Sequence, residues 1–453
     1  MGRLFGTDGI RGIANRELTA ELALNLGRVL AEVLDSARDS GGVAGGKVLI
    51  GRDTRVSGPM LEGALGAGLM SGGAEVVSLG VLPTPAVPYL LQKNGAAAGV
   101  MITASHNPSE YNGIKIFGSD GRKLSDALED EIESRLLRGL LNQPDKTGPH
   151  SKQDGAVSEY IDFLRLTAPL ALNGISIALD CANGSASVMA QQLFESLGAR
   201  VHMLGNRLDG YNINQDCGSL HPDKLQQTVV ENGLAAGFAF DGDADRVLAV
   251  DEYGKLVDGD QILAICALDM KERGQLIEDT LVATVMSNFG LRTFCKEYGI
   301  VLRTAQVGDR YVLDELLSGE RPFSLGGEQS GHIIFTEYST AGDGQLTALQ
   351  ILQVMLRTGK PLSELACVME HYPQTLKNIP VSQLGKLRLA SDAEIQSAVA
   401  EAQGILGENG RVLLRASGTE PLVRVMVEGR DAVQIDKIAQ ELEEVVKRQL
   451  LRF

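Results

Sequence analysis

One apolar run of the sequence, Ala97-Ala98-Gly99-Val100-Met101-Ile102, has a close copy further along the chain in Ala235-Ala236-Gly237-Phe238-Ala239-Phe240. Short runs of this kind are typical of strands that are buried on both faces, as in parallel sheets covered by helices. A polar segment follows each run, at 103–109 and at 241–246. The similarity indicates that the chain repeats one structural unit.

Each copy ends a longer pattern, and that pattern occurs three times. It consists of an apolar run, a helical stretch, a second apolar run, and a third apolar run that leads into a polar loop. The first runs lie at 48–53, 175–180 and 281–286, and the helical stretches at 60–71, 187–197 and 291–298. The second runs lie at 74–79, 199–204 and 300–304. The third runs lie at 96–103, 234–240 and 322–325. This alternation predicts three doubly wound, mixed α/β domains.

The C-terminal part of the sequence departs from the repeat and predicts a small α+β domain. A helical stretch at 355–369 precedes this part; beyond it, helices are expected at 392–403 and 432–450, and strands at 378–381, 411–414 and 423–428. The Pro- and Gly-rich stretch 142–155, the polar turn 251–254 and the segment 358–373 are the best boundaries. We therefore predict domains at 1–153, 154–254, 255–368 and 369–453.

Composition restricts the class of protein. Of 453 residues, 44% are hydrophobic and 22% charged, which is typical of globular proteins, and the net charge of −16 disfavours binding to nucleic acid or anionic membranes. No apolar run approaches the roughly 18 residues of a membrane helix, and the first residues lack the apolar stretch of a signal peptide. The five cysteines include no CxxC pair, which favours free thiols and a cytoplasmic location.

Three carboxylates at alternate positions, Asp241, Asp243 and Asp245, follow the second copy of the apolar run. Like charges this close repel one another unless a cation joins them, and oxygen ligands suit Mg²⁺ or Ca²⁺. A calcium EF-hand loop would need Gly at the sixth position, where Arg246 stands, and helical flanks instead of strands. A solvated acidic turn is the other alternative. We expect a Mg²⁺ site.

Ser105 and His106 occupy the equivalent loop one repeat earlier, in Thr103-Ala104-Ser105-His106-Asn107-Pro108. By itself this composition also fits an ordinary Ser/Asn-Pro turn. A serine protease is disfavoured because no G-x-S-x-G elbow surrounds the serine. A hydroxyl paired with an oxygen-liganded dication favours phosphoryl chemistry on Ser105, and Lys115 adds a cation to the same segment.

Three other segments carry weaker signals. The Gly-rich loop 326–332 contains Glu, Gln, Ser and His, which suits either sugar hydroxyls or a structural turn. Two arginines, two hydroxyls and a glycine at 415–424 suit either a phosphate or a hairpin turn. In segment 5–12, Arg11 is equally well explained as a structural ion pair with Asp8.

Taken in order, these five segments resemble the α-D-phosphohexomutase superfamily, most closely its branch that acts on glucosamine phosphates. The resemblance extends over 5–427, and Gln329 together with the sequence at 415–421 favours that branch. It implies three α/β domains and a C-terminal α+β domain around a central cleft. Asp309 stands where some relatives have His, so the resemblance gives it no role.

The resemblance also implies roles for individual residues. Ser105 would be phosphorylated and, with Asp241, Asp243 and Asp245, would hold one Mg²⁺ per chain. Arg11, Lys115 and His106 would be catalytic. The sugar phosphate would be bound by Arg246, Glu328, Ser330, His332, Arg415, Ser417, Gly418, Thr419 and Arg424.

The implied activity is isomerisation of glucosamine 6-phosphate to glucosamine 1-phosphate through a sugar 1,6-bisphosphate, which would feed UDP-N-acetylglucosamine synthesis. The first alternative is the same chemistry on mannose or glucose phosphates. A phosphatase that uses Ser105 or metal-bound water, and a non-catalytic sugar-phosphate sensor, are the others. The expected partner is a small sugar phosphate, and the resemblance allows a homodimer.

Overall fold

The structure is a computed structural model that describes residues 4–6, 8–38, 46–139, 147–417 and 421–451. Its contacts divide the chain into two compact units. The first unit comprises Met1–Met286 and Ile300–Val368, and the second comprises Ser287–Gly299 and Met369–Phe453. Each unit has its own sheets and hydrophobic core.

The first sheet is mixed and forms the N-terminal part of the first unit. Its strands are β1 (Phe5–Gly6), β2 (Gly9–Ile13), β3 (Lys47–Arg52), β4 (Glu75–Val81), β5 (Ala98–Ile102), β6 (Tyr111–Gly118) and β7 (His150–Lys152). They lie in the order β1-β2-β6-β5-β3-β4-β7. The helices of this stretch are α1 (Ala20–Arg38), α2 (Gly58–Ser71), α3 (Ala86–Lys93), α4 (Asp126–Arg138) and α5 (Ala156–Leu166). Every residue of β5 is buried, as the apolar run predicts.

The second and third sheets follow along the same unit. The second contains β8 (Ser176–Asp180), β9 (Arg200–Leu204), β10 (Ala236–Phe240), β11 (Val247–Asp251) and β12 (Leu256–Val257), with helices Ser185–Val188 (3₁₀), α6 (Ala190–Ser196) and α7 (Asp223–Glu231). The third contains β13 (Thr280–Thr284), β14 (Val301–Ala305), β15 (Leu325–Gly327) and β16 (Ile333–Phe335). Its helices are α8 (Gly259–Glu272), Ile277–Asp279 (3₁₀), α10 (Asp309–Leu316), α11 (Gly344–Thr358) and α12 (Leu362–Ala366), whereas α9 (Phe289–Glu297) belongs to the second unit.

The three sheets share one strand arrangement. In each, a central strand (β3, β8 or β13) pairs in parallel with the strand that follows it (β4, β9 or β14) and with the third strand of the repeat (β5, β10 or β15). An antiparallel strand (β6, β11 or β16) then pairs with that third strand. The prediction of three mixed α/β domains is therefore confirmed. The polar loops at 103–109, 241–246 and 328–332 leave equivalent strands, so they occupy equivalent places in the three sheets.

The second unit contains an antiparallel sheet with helices packed on it. Its strands are β17 (Gln374–Pro380), β18 (Gly410–Ala416) and β19 (Leu422–Gly429), in the order β17-β19-β18, and its remaining helices are α13 (Gln383–Arg388), α14 (Ala393–Leu406), Gly407–Asn409 (3₁₀) and α15 (Ala432–Leu450). Alternate residues of the central strand, such as Val423 and Val425, join Ile438 and Leu442 of α15 in the core. This confirms the predicted C-terminal α+β domain.

One predicted helix, 355–369, is wrong. Helix α11 begins eleven residues earlier, at Gly344, where Asp343 caps it through its side chain, and it ends at Thr358. Gly359 takes a left-handed conformation with φ of 68°, and Pro361 then starts the short helix α12. Glycine at this position and proline just after it are the usual stop signals of a helix. Within the described ranges, no helix is long and apolar enough to cross a bilayer.

Candidate active site

Ser105 lies in the loop after β5 in an uncommon backbone conformation. Its φ is +52°, in the left-handed region that costs a non-glycine residue roughly 1–2 kcal/mol. The backbone N–H of Ser105 donates to Thr103 Oγ1 at 2.9 Å, and its hydroxyl donates to Asp241 Oδ2 at 2.6 Å. The serine is 1% exposed. The structure therefore joins the serine loop and the acidic loop, as the sequence predicts.

The three aspartates form a buried cluster just beyond β10. One carboxylate oxygen from each of Asp241, Asp243 and Asp245 lies within 4.8 Å of the others. Ala244 has a φ of +57°, which turns the chain between the last two carboxylates. Burial and the neighbouring carboxylates raise the pKa of Asp241 well above its usual value. Three buried carboxylates this close repel one another strongly unless cations neutralise them.

Lys115 of β6 neutralises part of the negative charge of the cluster. Its Nζ lies 2.8 Å from Asp243 Oδ2 and 3.1 Å from Asp245 Oδ2, and the side chain is 1% exposed. Burial alone would lower the pKa of Lys115, but the two carboxylates outweigh it and raise the pKa, so the ammonium stays charged. Thr84 Oγ1 also donates to Asp243, at 2.6 Å.

The cluster fits a divalent cation. The Oδ1 atoms of Asp243 and Asp245 are buried without a hydrogen-bond partner in the described structure, and a metal ion would satisfy both. The donor set contains carboxylate and hydroxyl oxygens, which hard cations such as Mg²⁺ and Ca²⁺ prefer. Ser105 Oγ stands beside Asp241, where it would complete this set.

His106 and Arg246 lie next to the serine. His106 Nδ1 is 3.3 Å from Ser105 Oγ and 3.2 Å from Arg246 Nη1. Burial, together with the charges of Arg246 and Arg11, lowers the pKa of His106 to about 4, so the imidazole is neutral at pH 7. Because the arginine can only donate, Nδ1 accepts from it, and the serine proton is directed to Asp241.

Arg11 pairs with Asp8, so the structural ion pair that the sequence allowed is present. Burial lowers the pKa of Arg11, although Asp243 opposes this effect. Asp8 also contacts Lys123 and lies 3.5 Å from Lys115 Nζ. Arg11 therefore belongs to the charged surroundings of the acidic cluster as well as to a local pair.

The third loop brings one of its side chains to the cluster directly. His332 Nδ1 lies 3.8 Å from Asp245 Oδ1, and its Nε2 accepts from the Gly342 backbone N–H at 3.2 Å. Glu328 accepts hydrogen bonds from Ser330 Oγ at 3.2 Å and from the Gly308 backbone at 3.0 Å. The loops of all three repeats thus lie within the first unit, around or beside one group of carboxylates.

Asp309, whose role the resemblance leaves open, is part of an ion-pair chain. Its Oδ2 lies 2.6 Å from Lys123 Nζ, and this lysine also contacts Asp8. Burial opposes the charged form, but Lys123 and His332 lower the pKa of Asp309 far below its usual value. Lys123, Asp309 and His332 line one cavity of about 550 Å³.

The predicted phosphate loop belongs to the second unit. Arg415 and Arg424 face each other across the β18–β19 pair, and the Ser417 backbone donates to Leu422 O at 2.9 Å. Burial and the like charge of Arg424 lower the pKa of Arg415. Two adjacent guanidinium groups favour an anion between them. The predicted residues Gly418 and Thr419 lie outside the described residues.

The sequence did not predict the buried residues that form hydrogen bonds to the serine loop. Arg55 and Asp53 are fully buried and form an ion pair with 2.9 Å between Arg55 Nε and Asp53 Oδ2. Thr103 Oγ1 donates to the same carboxylate oxygen at 2.7 Å, and Asn214 Nδ2 donates to Ser105 O at 2.8 Å. The available signal was that Asp53 follows the first strand of the first repeat, at the sheet edge where sites form.

Four family models match the chain in order. They are phosphoglucomutase/phosphomannomutase alpha/beta/alpha domain I at 2–142, domain II at 158–254, domain III at 258–372 and the C-terminal domain at 376–445. Together they cover most of the sequence and agree with the three repeats and the separate fourth domain.

Individual relatives match over the whole length. The phosphoglucosamine mutase of Clostridium perfringens is 52% identical over 451 residues, which cover 99% of each chain. A phosphoglucomutase/phosphomannomutase family protein from Burkholderia thailandensis has a similar solved structure, with a TM-score of 0.84, 24% identity, and coverage of 98% of this chain and 97% of that one. Aspergillus fumigatus N-acetylphosphoglucosamine mutase, solved with GlcNAc-6P and magnesium, has a TM-score of 0.68, 17% identity, and coverage of 98% and 95%. The two structures support the fold.

Proposed function

The chain belongs to the phosphoglucosamine mutase family of the phosphohexomutase superfamily, and we propose that it interconverts glucosamine 6-phosphate and glucosamine 1-phosphate. Membership of this family makes the chain an isomerase that works by intramolecular phosphoryl transfer. The single observation that supports the mechanism best is the 2.6 Å hydrogen bond from Ser105 Oγ to Asp241 within the acidic cluster. It places a nucleophilic hydroxyl beside a site for a dication.

In the forward reaction, the phosphorylated Ser105 donates its phosphoryl group to O1 of glucosamine 6-phosphate. The Oγ–P bond breaks and an O1–P bond forms, which gives the 1,6-bisphosphate. The O1 proton passes to Ser105 Oγ, which leaves as the hydroxyl. We propose His106, whose Nδ1 lies 3.3 Å from Oγ, and Arg11 as the other catalytic residues of this step. Lys115 remains charged and stabilises the negative charge that accumulates on the transferring group.

The bisphosphate must then present its other end to the serine. In the return step Ser105 Oγ attacks the phosphorus at O6, so that an Oγ–P bond forms and the O6–P bond breaks. The serine proton passes by way of Asp241 to O6, and glucosamine 1-phosphate is released. The serine hydroxyl already donates to Asp241, so its proton has an acceptor in place and a lone pair is free to attack. A Mg²⁺ held by Asp241, Asp243, Asp245 and the serine would supply charge neutralisation for both transfers.

Sugar recognition is assigned to the other loops. Glu328, Ser330 and His332 offer donors and acceptors for sugar hydroxyls, and we propose Arg246 as a further contact. We propose that the phosphate that is not reacting is held by Arg415, Ser417, Gly418, Thr419 and Arg424. The domain boundaries, a cytoplasmic location and homodimerisation stay predictions from the sequence and the resemblance.

The experiment that tests this proposal measures the mass of the purified protein and its turnover of sugar phosphates. Intact mass of the purified protein, with peptide mapping, should show one phosphate on Ser105. S105A should lose about a thousandfold or more of mutase activity, whereas S109A, in the same segment, should retain it. Glucosamine phosphates should be turned over at least about tenfold faster than glucose or mannose phosphates, because the full-length relatives are named phosphoglucosamine mutases.

Each alternative has a distinct outcome in the same assays. Faster turnover of mannose or glucose phosphates would identify a phosphomannomutase/phosphoglucomutase. Release of inorganic phosphate without isomerisation would indicate a phosphatase. Tight binding without turnover, even after Ser105 is phosphorylated, would indicate a sensor. An active S105A protein would exclude the phosphoserine mechanism.

A further inference from the structure

Two backbone carbonyl groups of the serine loop are each held by two side-chain donors. Arg55 Nη2 donates to Ser105 O at 3.0 Å and to Asn107 O at 2.8 Å. Asn214 Nδ2 donates to the same two oxygens, at 2.8 Å and 2.9 Å. The two donors come from different repeats, since Arg55 follows β3 and Asn214 precedes β10. The loop is therefore clamped by the first and second domains together.

Arg55 directs its whole guanidinium group to this loop. Its Nη1 donates to Pro108 O and, at 3.0 Å, to Tyr111 O, and its Nε pairs with Asp53. The side chain is fully buried, so solvent does not compete for any of these bonds. A rigid planar cation with five donors suits such a cluster of carbonyl groups, and lysine, with its single nitrogen, does not.

Asn214 is itself held firmly in the second domain. Its φ is +60°, and its backbone N–H donates to Ala182 O at 2.8 Å. A Cβ added to Gly242 would lie 2.6 Å from Ser105 O and 2.9 Å from Asn214 Nδ2, so only glycine lets the acidic loop approach this closely. Asn214 thus connects the position of the serine loop to that of the loop with the aspartates.

We propose that Arg55 and Asn214 are positioning residues for phosphoryl transfer, which hold Ser105 in its left-handed conformation so that Oγ meets the acidic cluster. The proposal rests on the proposed function, because it assumes that Ser105 carries the phosphoryl group. Neither residue contacts Oγ; both act through the backbone carbonyl groups on either side of His106. Without them, the serine can relax to an ordinary φ and move its hydroxyl away from Asp241.

The test uses steady-state kinetics of Asn214 variants of the full chain. N214A removes the donor, and N214D replaces it with an acceptor of the same shape that faces two carbonyl oxygens. Displacing a reacting atom by about 1 Å can cost a hundredfold in rate, so both variants should lower kcat by about 10- to 100-fold, with N214D at least as impaired. KM should stay within about twofold of its original value, because the sugar is bound by other loops.

N212A is the matched control. Asn212 lies in the same loop and its Nδ2 donates to Arg207 O at 2.8 Å, but no hydrogen bond to the serine loop is described for it. Its kcat should remain within about twofold of the unsubstituted enzyme. R55K provides a second variant, since it keeps a cation opposite Asp53 but loses the geometry that spans four carbonyl groups. R55K should lower kcat more than KM while its urea midpoint shows that it is folded.

A single-turnover measurement distinguishes a specific loss of phosphoryl transfer from a general loss of enzyme structure. Phosphorylated enzyme in excess is mixed with limiting glucosamine 6-phosphate, and formation of the sugar 1,6-bisphosphate is followed by rapid quench. Transfer should slow by the same factor as kcat in N214A. Equal kcat values for N214A, N214D and N212A in an enzyme with normal turnover would overturn the positioning proposal alone. Unsubstituted protein without phosphoserine and without turnover would overturn the proposed function, and this proposal with it.

Discussion

Replacing Lys115 by methionine should destabilise the first unit strongly. The lysine is 1% exposed, and its Nζ lies 2.8 Å from Asp243 Oδ2 and 3.1 Å from Asp245 Oδ2. Methionine keeps most of the side-chain volume but leaves these buried carboxylates without their cation. Removing one partner of a buried ion pair typically costs about 3–5 kcal/mol, because the remaining charge is uncompensated. We therefore expect K115M to lose about 3–5 kcal/mol of unfolding free energy without divalent ions.

The measurement is urea unfolding in EDTA, compared with K47M. Lys47 Nζ lies 4.0 Å from Glu75 Oε1 and both side chains are about one-third exposed, so this surface pair should contribute only about 0–1 kcal/mol. Adding Mg²⁺ should narrow the difference between K115M and the unsubstituted protein, because the ion neutralises the same carboxylates. A K115M loss within about 1 kcal/mol of the K47M loss would refute the electrostatic account of the cluster.

The pH dependence of this difference follows from the direction of the pKa shift. The folded state raises the pKa of Lys115, so its contribution is fully present below the pKa of an unfolded lysine, about 10.4, and is lost as pH rises from there through the folded value. The penalty of K115M should therefore be constant from about pH 7 to pH 9. A penalty that disappears across this interval would mean that the lysine is not charged there.

Three further predictions use other parts of the chain. A Cβ on Gly242 would lie 2.6 Å from a carbonyl oxygen of the serine loop, so G242A should lower kcat at least about tenfold in steady-state assays, whereas G63A, with nothing within 4 Å, should not. Burial raises the pKa of Asp343 to about 6, so its contribution to stability falls as pH rises from about 4 to 6. D343N should therefore gain up to about 3 kcal/mol relative to the original protein between pH 4 and pH 7, and a difference that does not vary with pH in urea unfolding would contradict this. Arg411 Nε donates to the fully buried Glu428 at 2.5 Å, so R411M should cost the second unit about 3–5 kcal/mol, and an unchanged calorimetric midpoint would contradict the pairing.

Local sequence patterns predicted the strands and the acidic cluster because both depend on neighbouring residues. The run at 234–240 became β10 at Ala236–Phe240, since a short apolar run is typical of a strand that is buried on both faces, and every residue of β10 is buried. The three aspartates then follow at alternate positions, and their charges require a shared cation wherever the strand lies. The short apolar run at 322–325 was less informative, because the strand it predicts is actually Leu325–Gly327.

The residues that sequence reasoning missed act over long separations in the chain. Arg55 is 50 residues from Ser105, and Asn214 is 109 residues away on the opposite side. No periodicity or spacing connects such positions. Arg55 meets the serine loop because β3 and β5 pair within the first repeat, and Asn214 meets it only when two repeats pack together. The break at Gly359 is different: a glycine followed by Pro361 is a local stop signal, and it should outweigh the apolar content of 355–369.

Each of the three equivalent loops contains one residue in the left-handed conformation, but the residue type differs. The type that each loop uses depends on whether the side chain at that position must react. In the third loop that residue is Gly331, with φ of +90°, where glycine adopts the conformation without strain. In the first two loops it is Ser105 or Ala244, which needs tertiary contacts to remain there. Ser105 has Arg55 and Asn214, and the Ala244 carbonyl accepts from Gly344 N at 3.0 Å. A loop that must present a reacting hydroxyl cannot use glycine at that position, so its conformation has to be imposed by distant parts of the fold.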